Sequence, residues 1–255
     1  MTRAWLILAD ILLHLFLFLS LILFYTSSPL KQYITKEEQM AAKKITSKAN
    51  FIDADLTEAL VLLSAKVGDP VFIRIFKEES LLEVWIRTGT EYQHLKDYFI
   101  CAYSGTLGPK LQEGDRQAPE GFYTVKKYQL NPNSKYHLSF NLGFPNQYDR
   151  EHNRTGSFLM VHGNCVSDGC YAMTDEKIEE IYMLVEGALQ KSQRYVQVHA
   201  FPFRMTDENM ALYGDSEWYD FWVNLKEGYD YFEAEHLVPY IKVENGLYTI
   251  YEANE

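Results

Sequence analysis

The strongest constraint on the fold is a change of period at Val71. From there "VFIRIF", a polar "KEES" and "LLEVWIR" alternate apolar and polar positions as a strand, a turn and a second strand. The pattern then recurs. "YQHLKDYFICAYSG" reads as another strand, and "GPKLQEGDRQAPEGFYTV" as a Gly- and Pro-punctuated loop that enters a strand at Phe122. "KYHLSFNLGF" and "GSFLMVHG" give two more strands, separated by the polar loop "PNQYDREHNRT", and "RYVQVHAFPF" gives a further one. Helical spacing interrupts this in three places. "DADLTEALVLLSAKVGDP" places Leu56, Leu60, Leu63 and Val67 on one face, with Asp55 as N-cap and Gly68 at the end. "TDEKIEEIYMLVEGALQKS" has Thr174 or Asp175 as cap and an apolar face through Ile178, Ile181, Met183, Leu184 and Leu189. Residues Met205 to Tyr231 predict a helical segment broken near Gly214, followed by a hairpin turning at Asn245-Gly246. The expected class is mainly β or α+β.

With 255 residues, 47% of them apolar, the chain can bury a core in one domain with appendages. A formal charge of -11 argues against nucleic acid, whose partners concentrate Lys and Arg. Residues 1–25 put Arg3 ahead of an apolar run and read as a signal peptide or an N-terminal membrane anchor. "YTSSPLK" is a poor cleavage site, which favours the anchor. Residues 26–69 then form a stalk and packing helix, 70–205 the strand-rich main domain, and 206–255 a C-terminal helical segment and hairpin. The expected location is the periplasm or cell envelope, with the inner membrane reached through the N-terminal segment.

The chemistry concentrates in "SFLMVHGNCVSDGCYAMTD", Ser157 to Asp175. His162, Cys165 and Cys170 could be metal ligands, but no fourth ligand is clear and the C-x2-C knuckle of a tetrahedral site is missing. A Cys165–Cys170 disulfide would close a small loop and silence both thiols. Cys101, among apolar neighbours, reads as a buried structural thiol. A catalytic reading needs a thiol, a base and donors for an oxyanion. Ser167-Asp168-Gly169-Cys170 supplies a sharp turn whose Gly169 and Cys170 N–H groups could face that charge, while a helix starting near Thr174 would favour the Cys170 thiolate. His162 is then the base.

"HGNCVSDGCYAM" resembles the signature of the YkuD-domain L,D-transpeptidases: a strand ending in His-Gly, then Ser-x-Gly-Cys and a hydrophobic residue. "QAPEGFYTV" resembles their Pro-x-Gly-Phe segment, and "SFNLGFPNQYD" and "AFPFRMT" follow in the order of the YafK-like branch, so the similarity runs from about Val71 to Met205. The resemblance implies a YkuD-like fold without cofactor or metal, with Cys170 as nucleophile and His162 as base. Gly169, Ser167 and Gly163 would shape the oxyanion loop, and Cys165 would be structural. It also implies a cysteine-dependent transpeptidase or murein hydrolase acting on peptidoglycan stem peptides through a thioester, with a murein-linked lipoprotein as a candidate partner. Two departures stand out: Asp168 replaces the usual histidine and Ala172 the usual arginine. Arg204 and Arg154 are candidates for the missing cation, and Asn141 and Asp168 for further substrate contacts. The His162–Ser167 loop is shorter than the common pattern; His152 has the longer spacing to Cys170 but lacks the following glycine. The rival class is a catalytically inactive envelope protein that binds or scaffolds murein. A papain-like protease has its Cys before its His, the reverse of the order found here.

Overall fold

The computed structural model describes residues 55–253, so the apolar N-terminal segment and the expected stalk up to residue 54 lie outside the described residues. Among those described, no helix is long and apolar enough to cross a membrane. The strands in chain order are β1 (Val71–Phe76), β2 (Leu81–Arg87), β3 (Tyr92–Phe99), β4 (Ala102–Tyr103), β5 (Gly121–Val125), β6 (Leu130–Ser134), β7 (His137–Asn141), β8 (Met160–His162), β9 (Tyr171–Ala172), β10 (Val196–Phe201), β11 (Tyr240–Glu244) and β12 (Leu247–Tyr251). The helices are α1 (Leu56–Leu62), α2 (Gln147–Glu151), α3 (Asp175–Lys191), α4 (Asp207–Leu212) and α5 (Tyr219–Glu235). One sheet runs β3-β2-β1-β10-β5, a second β4-β9-β8-β7-β6, and β11-β12 is the expected hairpin. The turn uses positive φ at Asn245 and Gly246, as a two-residue hairpin loop requires.

α3 packs against β7 on one side and β1 and β10 on the other, so it lies between the two large sheets. Its Ile178, Ile181, Leu184 and Val185 share one apolar core with Ile73 and Ile75 of β1 and with Phe140, Val161 and Tyr171 of the second sheet. The opposite face of β1 is covered by α5, whose Phe232 meets Phe72 and whose Tyr229 meets Phe76. With both faces covered, all six β1 residues are buried, including Arg74. Met183, placed by sequence spacing on the apolar face of α3, is instead 43% exposed, and Tyr182 and Val185 are buried there.

The α1 pattern is cut short. Asp55 caps it by accepting from Thr57 N at 2.7 Å, yet the helix ends at Leu62, and Ser64 adopts a positive φ before Gly68 is reached. The expected strand through Cys101 breaks as well: β3 ends at Phe99 and β4 begins in the other sheet, leaving Cys101 exposed at the crossing. The polar loop after β7 contains α2, capped by Asn146 accepting from Asp149 N at 2.9 Å.

Candidate active site

β8 and β9 run parallel, with Val161 opposite Tyr171 and His162 opposite Ala172. One step back along the same register, Met160 stands beside Cys170. Alternation sends Phe140, Val161 and Tyr171 into the core, all fully buried, and turns Ser139, Met160, His162 and Cys170 to the other face. There His162 and Cys170 line one cavity of about 580 Å³, with Ser139, Tyr136, Phe158 and Asn131 among its walls.

His162 is 2% exposed. Its Nδ1 lies 2.6 Å from the Gly163 carbonyl, and because a carbonyl only accepts, Nδ1 carries the proton and Nε2 keeps its lone pair. Burial lowers the imidazole below its ordinary value of 6.5, more than the carbonyl raises it, so the ring is neutral at neutral pH. The Tyr136 ring packs on it at 4.8 Å between centroids.

The Cys170 sulfur accepts from Met160 N at 3.4 Å and faces the Phe158 carbonyl at 3.6 Å. Burial pushes the thiol up; the Met160 N–H and Lys110 lower it less, and the Asp168 carboxylate raises it further. The resting group is a thiol. This overturns the expectation of a thiolate favoured by a helix N-terminus, because β9 lies between Cys170 and the cap of α3 at Thr174, and a helix dipole acts within about one turn of its end.

Ser167 clamps the Cys170 backbone: its Oγ accepts from Cys170 N at 3.1 Å and donates to Cys170 O at 2.7 Å, with Ser104 Oγ 2.8 Å away. The Cys170 N–H is thereby occupied, contrary to its expected place facing the oxyanion. Gly163 N–H donates to Tyr136 O and Leu138 O, so it too is occupied. Gly169 N–H has no acceptor among the described residues, and its φ of +95° is one that a side chain would strain. Gly163 is required for space: a Cβ there would sit 2.6 Å from Asp175 Oδ1, the atom that accepts from Asn164 N at 2.7 Å.

Cys165 pairs with Cys101, 64 residues away, with 5.3 Å between Cα atoms. This corrects the reading of Cys101 as a buried free thiol, sets aside the weighed Cys165–Cys170 pairing, and agrees with Cys165 as a structural cysteine. Cys170 is the free cysteine. Both half-cystines are held to the end of β9, Cys101 N donating to Ala172 O at 2.8 Å and Cys165 N to Met173 O at 3.0 Å.

The L,D-transpeptidase catalytic domain (YkuD) model matches residues 70–198. The chain is also 52% identical over 184 residues, 72% of its own length and 75% of the relative's, to YafK of Escherichia coli strain K12, an L,D-transpeptidase by provisional name. The chain belongs to the L,D-transpeptidase family. Among solved structures, the helical cell shape determining protein Pgp2 (K307A mutant) of Campylobacter jejuni aligns with a TM-score of 0.44 at 18% identity, covering 68% of this chain and 61% of that one. Bd1075 of Bdellovibrio bacteriovorus aligns at 0.39 and 20% identity, covering 69% and 78%.

Several residues expected around this L,D-transpeptidase site lie elsewhere or are already engaged. Arg154 is buried, bonded to Asp149 Oδ1 at 3.0 Å and packed over Tyr148 and Phe221, so its charge is spent inside the fold. Arg204 donates to Glu83 Oε1 at 2.5 Å and stacks on Phe76, in a network with Arg74. Asp168 is 77% exposed and 3.6 Å from Arg116, which sequence reasoning passed over. Asn141 lines a different cavity. His152 stacks on Tyr148 at 4.0 Å and holds Tyr148 O through Nδ1, and it does not line the Cys170 cavity. Away from the site, ligand atoms of Glu83, His94 and Asp97 lie within 4.8 Å of one another. Arg74 and Arg204 both bind Glu83 there, so its carboxylate charge is already balanced.

Proposed function

We propose that this L,D-transpeptidase domain cleaves or transfers peptidoglycan stem peptides through a Cys170 thioester, with His162 as the base. The observation that carries the reading is the single cavity lined by a free cysteine and by a neutral imidazole whose Nδ1–H is fixed, leaving Nε2 as the proton acceptor. The pair starts uncharged. As Sγ attacks the carbonyl of the L-centred residue of the stem, its proton passes to His162 Nε2, and the new S–C bond leaves the carbonyl oxygen negative. In this reading Gly169 N–H, which has no acceptor among the described residues, would donate to that oxygen, and one such donor lowers the barrier by about 3 kcal/mol. Ser167 takes no proton; it fixes the peptide that carries the thiol. The imidazolium then returns its proton to the departing amine. A second amine gives transfer from the thioester, and water gives hydrolysis.

The exposed Cys101–Cys165 bond supports an exported protein, since such bonds persist in oxidising compartments. Export through the N-terminal segment, and the division of the chain at residues 25, 69 and 205, belong to the same proposal, as does a murein-linked lipoprotein as partner.

The test is mass spectrometry of purified protein mixed with a defined tetrapeptide stem, with and without an added amine. A thioester adduct on wild-type protein that is lost in Cys170→Ala is the expected result. Turnover by Cys170→Ala equal to wild type would sink the assignment. The absence of any adduct or product from the wild type would instead favour the murein-binding alternative.

A further inference from the structure

A second cavity, of about 410 Å³, begins one strand pair from the thiol. Asn141 lines it, and Asn141 is the cross-strand partner of Met160, whose N–H touches the Cys170 sulfur. Ser139, two residues back on the same face of β7, lines the thiol cavity, so one strip of sheet serves both. Three of the cavity's four side-chain amides spend their N–H groups inside the fold, and the fourth, Asn141, accepts from Gly143 N through Oδ1. Gln129 Nε2 donates to Thr124 O and Asn141 O, Asn146 Nδ2 to Phe122 O and Tyr248 Oη, and Gln147 Nε2 to Glu151 and Val243 O. Two exposed cations remain, Lys126 and Arg150. Neither has a carboxylate partner among the described residues; Arg150 Nη1 donates to the Pro145 carbonyl at 2.5 Å and keeps its other donors. No Asp or Glu lines this cavity, in a chain whose net charge is -11.

We infer that this cavity is a binding subsite for the carboxylate-bearing part of the peptide whose carbonyl reaches Cys170, with Lys126 and Arg150 as its anion contacts. A carboxylate is the class that fits: two cations without a carboxylate partner stand over a wall with no acid of its own, and a guanidinium and an ammonium both gain from a charged acceptor. The subsite supplies the cationic role expected of Arg154 and Arg204, which the fold uses elsewhere. It rests on the proposed stem-peptide substrate.

The experiment separates binding from chemistry by using full-length Cys170→Ala protein. Its affinity for a synthetic tetrapeptide stem with free carboxylates is measured by calorimetry, with and without Lys126→Gln and Arg150→Gln together. The same peptide with its carboxylates amidated is the second probe. The double variant is expected to lose about tenfold or more in affinity for the free-acid peptide and little for the amide, and Lys126→Arg with Arg150→Lys to restore binding. Equal affinity of parent and double variant for the free-acid peptide overturns the subsite, as does an equal loss on both peptides. An acyl-enzyme on wild-type protein with the cations irrelevant would leave the proposed function standing and the subsite fallen. Cation-dependent binding with no acyl-enzyme would do the reverse.

Discussion

The cavity that holds Cys170 and His162 sets their titration as well as their positions. Burial raises the thiol and lowers the imidazole, so both shifts favour the uncharged pair over an ion pair at rest. Alkylation of Cys170 by iodoacetamide is therefore expected to be slow at pH 7 and to climb about tenfold per pH unit through the alkaline range, because the thiolate is the reacting species. A plateau already reached by pH 6 would show an ion pair instead. His162→Gln is expected to cut acylation by a factor of about 10² to 10⁴ while leaving the alkylation profile in place, since in the proposed reaction the imidazole is a base and not a resting counter-charge. Both residues were legible in sequence because each sits where a strand ends, next to glycine, in a short motif. The state of the thiol was not. It depends on how deeply the fold closes over it, and a helix start four residues downstream looked near enough to act until β9 was found between them.

Among the elements, the loop from Gly163 to Gly169 is the one that tertiary structure redefines. Its Cys165 is tied across 64 residues to the junction of β3 and β4, a pairing that no local spacing could announce, because it exists only once the two sheets are assembled. Closing a loop of that length removes about 4 kcal/mol worth of chain entropy from the unfolded state. The double variant Cys101→Ser, Cys165→Ser is thus expected to melt earlier and to unfold at lower urea, with Cys170 still able to form the acyl-enzyme. An unchanged midpoint would mean the bond restrains little. α2 went unseen for a different reason. It is a five-residue helix held by its Asn146–Asp149 capping box, within a run of polar residues that carries no apolar period. β2, α3, β10 and the terminal hairpin could be read in advance because their periods or turn residues are local properties.

Across the whole molecule, ionisable groups are buried on the α5 side of the sheet β3-β2-β1-β10-β5, where Arg74 stands opposite both His199 and Glu83. His199 is fully buried between Phe72 and Phe122, and burial, with Arg74 nearby, holds it well below 6.5. Burial alone would raise Glu83, but Arg74 and Arg204 hold its carboxyl far below the usual range. These shifts act in one direction on stability. Below pH 6.5 the unfolded chain protonates at His162 and His199 while the folded chain resists, so each contributes a loss of up to about 1.4 kcal/mol per pH unit as pH falls. The Glu83 contribution is present above the unfolded carboxylate value and is lost only at lower pH. The thermal midpoint is expected to fall between pH 7.5 and 5.5, and less steeply in His199→Phe; a flat midpoint over that range would contradict the burial of these rings. Glu83→Gln, which removes the carboxylate that balances the buried Arg74 and the partly buried Arg204, is expected to cost about 3 to 5 kcal/mol in urea unfolding.

The parallel pairing of β8 with β9 is joined by only eight residues, Gly163 to Cys170, fewer than the dozen or so that parallel crossovers commonly take. The chain leaves the sheet at His162 and re-enters it at Cys170. What separates the two side chains in space is thus a step of hydrogen-bond register, not the tally of residues along the bridge. A bridge of another length could join the same two seats, so a fixed gap between histidine and cysteine is not something this pairing demands.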